Sequence, residues 1–240
     1  MAGSAPAIDS GGNIYFTVAN GDVSPPSQSS LEWGNSVMKL SPSLAYQDFY
    51  TPNDWTELDN GSPPDVCFVY SNTTCPTSQR HTLSKDTDMG TGGVVLLSSS
   101  SSPSELVSVG KQSMMYVIPY SASHNGYMGG LDGGGYTSSS GSNPQNTACS
   151  IASSFPSPGN IVQCFQAVDF KSSTSGVWGA PAFWSDGGQN QYLFAIGLND
   201  YMYWYPYAAP MFNVTSFSQS DHEFSFQGTS RSSGGMASVT

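Results

Sequence analysis

The sequence predicts an all-β fold of repeated four-stranded antiparallel sheets, a β-propeller of about three blades plus the start of a fourth, with long loop insertions. Three observations predict it. The stretch Gly176 to Tyr205, GVWGAPAFWSDGGQNQYLFAIGLNDYMYWY, holds two apolar runs around a Gly-rich turn. The frame recurs at Gly3 to Asp22, GSAPAIDSGGNIYFTVANGD, with the same Pro-Ala start, Asp-containing Gly turn and apolar second run. It recurs again at Gly90 to Ile118, GTGGVVLLSSSSSPSELVSVGKQSMMYVI, around a longer Ser turn. Units of this size cannot bury their faces alone, so they stack on one another. A β-sandwich with coincidental hairpins is the alternative; long insertions between units suit radial blades better.

The first blade spans residues 1–52. After its opening hairpin, Val23 to Leu31 is a Pro and Ser loop, and NSVMKLSPSLAYQDFYTP (Asn35 to Pro52) supplies two outer strands around an SPS turn. Residues 53–89 are an insertion carrying Pro63, Pro64, Cys67 and Cys75. A connection of that length in a compact domain predicts a crosslink or a binding loop. The second blade, 90–122, has two branched strands and a third after Gly110. Residues 123–160 form another insertion, with GGLDGGG and many Ser and Asn residues. The third blade, 161–216, begins with the strand IVQCFQAV. PAFW and YLFAIGL then flank the SDGGQN turn, and LND leads into YMYWYPY. There Tyr201, Tyr203, Tyr205 and Tyr207 alternate with Met202, Trp204 and Pro206 at period two, as in a strand with two unlike faces. Residues 217–240, ending GGMASVT, start the next blade. Propellers close with about four to eight blades. The remaining blades, or other protein subunits, are therefore the expected partners, since an incomplete ring exposes sheet faces and edges.

Composition narrows the function classes. Charged residues are 10% of the 240-residue chain, against about 25% in typical domains, and Ser, Gly, Asn, Thr and Tyr take their place. A net charge of −11 with six Lys and Arg cannot form the basic stripe that neutralises nucleic-acid phosphates, and it disfavours anionic membranes. No apolar run approaches the roughly 18 to 20 residues of a membrane span, so neither nucleic acid nor membrane insertion is expected.

Cys67, Cys75, Cys149 and Cys164 lie in or beside the long connections. An even number in such places predicts two disulfides, most simply Cys67 to Cys75 and Cys149 to Cys164, although four cysteines allow three pairings. Metal ligation competes, without a CxxC or a Cys and His cluster to support it. Asn60, Asn72 and Asn213 head glycosylation sequons. With the cysteines and the low charge they predict an extracellular or periplasmic location.

GNIYFTVANGD, WGNSVMKLSP, DFYTPNDW, DTDMGTGGVVLL and GKQSMMYVI, in that order, resemble the repeat region of pyrroloquinoline quinone (PQQ)-type propellers, the quinoprotein alcohol dehydrogenase-like superfamily. The resemblance covers about residues 3–122 and, more loosely, 176–240. It implies a PQQ and Ca²⁺ site at the hub of a complete ring. By that resemblance Asn20 stands at a calcium-ligand position, its carbonyl a suitable hard donor. Lys111 stands where a cation touches the quinone and would stabilise a reduced oxyanion. In TPNDWTELD, Asp54 and Trp55 match the catalytic segment, but Thr56 occupies the place of the general base, which Asp59 fills only if the loop shifts register.

The structural readings of these residues are plainer. Asn20 is a turn residue, Lys111 a solvated loop cation, Asp54 a turn residue beside Pro52, and Asp88 in KDTDMG an acid bonding its own backbone. The missing base favours a secreted, non-catalytic PQQ-repeat-like scaffold or binding segment. The alternative is part of a PQQ- and Ca²⁺-dependent alcohol or sugar dehydrogenase. A third reading is a carbohydrate-binding module that uses Trp33, Trp178, Trp184 or Trp204, residues that sheets otherwise bury between them.

Overall fold

Short apolar runs separated by Gly, Ser and Asn turns form strands, and a computed structural model describes them over residues 4–22, 32–52, 66–67, 80–81, 88–97, 105–111, 113–120, 130–131, 162–168, 176–214 and 216–222. Among these residues the fold is all-β, with three main sheets and no α-helix. The first sheet is an antiparallel meander of β1 (Ala7–Ile8), β2 (Ile14–Thr17), β3 (Val37–Leu40) and β4 (Tyr46–Thr51). The expected outer strands around the SPS turn are thus β3 and β4. Two short strands, β5 (Val66–Cys67) and β6 (Arg80–His81), pair with each other.

The second sheet uses β7 (Val94–Leu96), β8 (Glu105–Val109) and β9 (Met114–Pro119). From the following insertion, β10 (Gly130–Leu131) crosses to the first sheet and pairs in parallel with β4. Its fourth strand, β11 (Gln163–Gln166), pairs antiparallel with β9. This corrects the expected boundary at residue 160: IVQCFQAV completes the second sheet and does not open the third. The second insertion therefore lies inside a module, between its third and fourth strands. The third sheet holds β12 (Ala182–Ser185), β13 (Gln191–Ile196) and β14 (Met202–Ala208), all antiparallel. On the free edge of β14, β15 (Met211–Phe212) and β16 (Ser218–Gln219) pair with its two ends. Ser218 and Gln219, expected to lead into the next blade, instead finish this sheet.

The three sheets stack in chain order. Between the first and second lie Tyr15, Val37, Tyr50, Leu106, Met114, Tyr116 and Ile118. Between the second and third lie Val107, Val109, Met115, Val117, Phe165, Leu193, Ala195, Tyr203 and Tyr205. Successive residues on a strand face opposite ways, so Leu106 packs on one neighbour and Val107 on the other. Hence every residue of β8 and β9 is buried, which their nearly continuous apolar sequence allows. In β13 and β14, burial alternates instead, with one face covered and the other half-exposed.

Candidate binding groove and the module junctions

Two hairpin turns share one side-chain clamp. Asp9 Oδ1 accepts hydrogen bonds from the backbone N–H of Gly11 at 2.9 Å and Asn13 at 2.8 Å, and Asn13 Nδ2 donates to Asp9 Oδ2 at 2.8 Å. Asp186 repeats the pattern with Gly188 at 2.7 Å and Asn190 Nδ2 at 2.7 Å. A carboxylate that spans a five-residue turn replaces the backbone partners such a turn lacks. Burial raises the pKa of Asp9, but the hydrogen bonds from Asn13, Tyr15 and Gly11 outweigh it and leave the carboxyl below its ordinary value.

At the opposite end of the strands, each of the first two modules grips the one that follows. The turns joining second and third strands each place one residue in the left-handed region: Asn35 (φ 46), Ser113 (φ 68) and Asn199 (φ 53). From the first turn, Asn35 Oδ1 accepts the N–H of Met89, in the leading segment of the second module, at 3.0 Å. From the second, the Gly110 carbonyl accepts the N–H of Val177, in the leading segment of the third, at 3.1 Å. Each leading segment also returns to its own turn: Asp88 O accepts Lys111 N–H at 3.1 Å, and Gly176 O accepts Leu198 N–H at 2.9 Å. Close approach explains the glycines. A Cβ on Gly92 would overlap the Val109 carbonyl, and one on Gly93 would collide with Ser4 and press on Ala180. Gly93 is therefore where the residues just ahead of the three first strands meet.

Lys111 is buried in the second junction. Its Nζ forms an ion pair with Asp88 Oδ2 at 2.6 Å and lies 4.9 Å from the centre of the Trp178 ring. Asp88, Lys111 and Trp178 thus tie the second module's two loops to the third module's leading segment. The expectation of a solvated Lys111 is corrected by these partners, which lie 23 and 67 positions away in sequence. Asp88 likewise bonds Lys111 in addition to any turn it serves.

Of the other predicted positions, the described ones fall in separate elements. Asn20 is exposed in the connection from β2 to β3. Asp54, Asp59, Asn60, Asn72, Cys75 and Cys149 lie outside the described residues. Cys67 falls in β5 and Cys164 in β11. Asn213 is exposed, and its Oδ1 accepts the N–H of Ser216 at 3.1 Å. Among the described residues no three His, Cys, Asp or Glu side chains gather in metal-binding geometry.

Polar residues that sequence reasoning passed over join the second and third sheets. Gln163 exchanges two hydrogen bonds with the backbone of Phe212, at 2.8 and 3.1 Å, as a strand neighbour would. Tyr205 donates to the Ala167 carbonyl at 2.7 Å and Tyr207 to Glu105 at 2.9 Å. Burial, then the charge of Glu105, pushes the Tyr207 phenol far above its ordinary pKa. Tyr15 is raised in the same way by burial and by Asp9.

The outer face of the third sheet bears an open groove of about 560 Å³, lined by Trp184, Tyr192, Phe194, Trp204, Pro206, Ser216 and Ser218. Strand register builds it: Trp184 is opposite Tyr192, Phe194 opposite Trp204, and Tyr192 opposite Pro206. The Trp184 and Tyr192 rings are 6.1 Å apart and inclined by 24°, those of Phe194 and Trp204 6.3 Å apart and inclined by 34°. Trp184 and Trp204 were legible from sequence as stacking candidates, and Pro206 shares the face of Trp204 by period two; Tyr192 and Phe194 join them only through the register. Comparison of the chain with protein-family models, curated proteins and solved structures gives no match.

Proposed function

We propose that the chain is a non-catalytic scaffold of β-propeller type, in which the three stacked meanders are consecutive blades fanned about an axis near Gly93. The recurring junction carries this reading. The same turn of one module holds the leading segment of the next, first through Asn35 and Met89 and then through Gly110 and Val177. A repeated unit with a repeated interface grows by nearest-neighbour contacts, the logic of repeat architectures. Strand order within each meander follows the chain, as in blades. The PQQ-repeat resemblance fits this arrangement, and Lys111 then serves to clasp two blades together. The scaffold reading includes further blades or other subunits as partners, an extracellular or periplasmic location, and disulfides Cys67 to Cys75 and Cys149 to Cys164.

The competing dehydrogenase reading makes Lys111 a quinone contact. Titrating the full chain with PQQ in the presence of Ca²⁺, followed by absorbance and by dye-linked alcohol oxidation, separates the two. The scaffold predicts no saturable PQQ binding and no turnover. Saturable binding that disappears in Lys111→Ala, with turnover, would transfer Lys111 to a cofactor site.

A further inference from the structure

We infer that the groove on the outer face of the third sheet is a binding site for a neutral oligosaccharide, with Trp184 and Trp204 as its stacking platform. The lining chemistry is the first reason. Half-exposed rings of Trp184, Tyr192, Phe194 and Trp204 form an apolar floor, and Ser216 and Ser218 place hydroxyls at its rim. A pyranose with equatorial hydroxyls has the matching surface, an apolar face of axial C–H groups edged by hydroxyls that both donate and accept hydrogen bonds.

Charge is the second reason. None of the seven lining residues is charged, and the chain carries −11, so the site offers no cation to an acidic sugar and the surrounding field repels one. The third reason is exposure. The faces that pack sheet on sheet bury their rings, Tyr15, Tyr50 and Tyr116 in one interface and Phe165, Tyr203 and Tyr205 in the other. On the far face of the third sheet the rings of Trp184, Tyr192, Phe194 and Trp204 are left half-exposed around a concavity. Its volume of about 560 Å³ lies within the range of roughly 300–1,000 Å³ common to small-ligand sites.

Full-length chain titrated by calorimetry with cellohexaose, and separately with a galacturonic acid hexamer, tests the site. Saturable binding of the neutral probe alone is expected. Trp184→Ala and Trp204→Ala should each weaken it about tenfold or more, whereas Trp33→Ala, outside the groove, should leave it unchanged. Saturation-transfer NMR on the unmodified chain should carry magnetisation from aromatic protons to the ring C–H protons of the sugar, which keeps the test valid if a variant folds poorly. Binding of neither probe, or of both equally, overturns the proposal. So does self-association in sedimentation that Trp204→Ala abolishes, because the face would then be a contact with another sheet. The sugar site requires the third sheet to be the open end of the array, so a further blade packed on this face overturns the sugar site and not the blade reading, which rests on the module junctions and is tested by distances between sheets.

Discussion

Lys111 illustrates how one side chain can serve two neighbours. Its ammonium meets Asp88 at 2.6 Å and the Trp178 ring at 4.9 Å, with both Lys111 and Asp88 buried. Removing the cation strands a buried carboxylate, which costs about 3–5 kcal/mol. Lys111→Met should therefore lower the urea unfolding free energy by that order, and a loss under about 0.5 kcal/mol, the size of an ordinary surface change, would return Lys111 to solvent. Tyr207 gives a pH test. Because its folded pKa is raised above 10.0, the fold favours the neutral phenol. The resulting stability is complete below that pH and is lost as pH rises above it. Urea unfolding followed between about pH 9 and 12 should show declining stability, and Tyr207→Phe should flatten the decline by about 1.4 kcal/mol per pH unit. An unchanged slope would contradict the buried Tyr207–Glu105 contact. None of this was legible from Lys111 or Tyr207 alone: a Lys in a Gly turn and a Tyr in an alternating run acquire their partners from segments distant in sequence, Asp88 and Trp178 for the one and Glu105 for the other.

At the level of strands, alternation sets the cost of a substitution. Leu193 and Phe194 are neighbours on β13, yet Leu193 is fully buried against the second sheet while Phe194 lines the outer groove. Leu193→Ala should destabilise by about 2–5 kcal/mol, with the cavity it leaves setting the value within that range. Phe194→Ala should cost clearly less, and equal losses in parallel urea titrations would mean that both faces are covered. Sequence periodicity sufficed for β3, β4, β12, β13 and β14, whose pairing partners follow within a few residues. It could not assign β11, because an insertion of some forty residues separates it from β9 and pairing depends on proximity in space. Nor could it anticipate β10, whose parallel pairing with β4 joins two modules. Period two marked Trp204 and Pro206 as sharing one face and Tyr203, Tyr205 and Tyr207 the other; which face is covered depends on where the second sheet lies.

Across the whole molecule, three meanders stack in sequence with the middle one buried on both faces. Ser4, Gly93 and Ala180, just ahead of the three first strands, lie together, and β7 lies against β1 and β2. Blades about an axis and flat parallel layers differ in how sheet separation changes from first strand to last. Layers keep a constant spacing, so the first and third sheets would be about 20 Å apart everywhere. Spin labels at Ile8 and Ser185 report the first strands of these sheets, and labels at Leu44 and Ala208 report their outer strands at the same end. Pulsed dipolar spectroscopy on the two labelled pairs gives both distances. The fan of blades predicts a clearly shorter distance for Ile8 and Ser185 than for Leu44 and Ala208, and equal distances for the two pairs would contradict it.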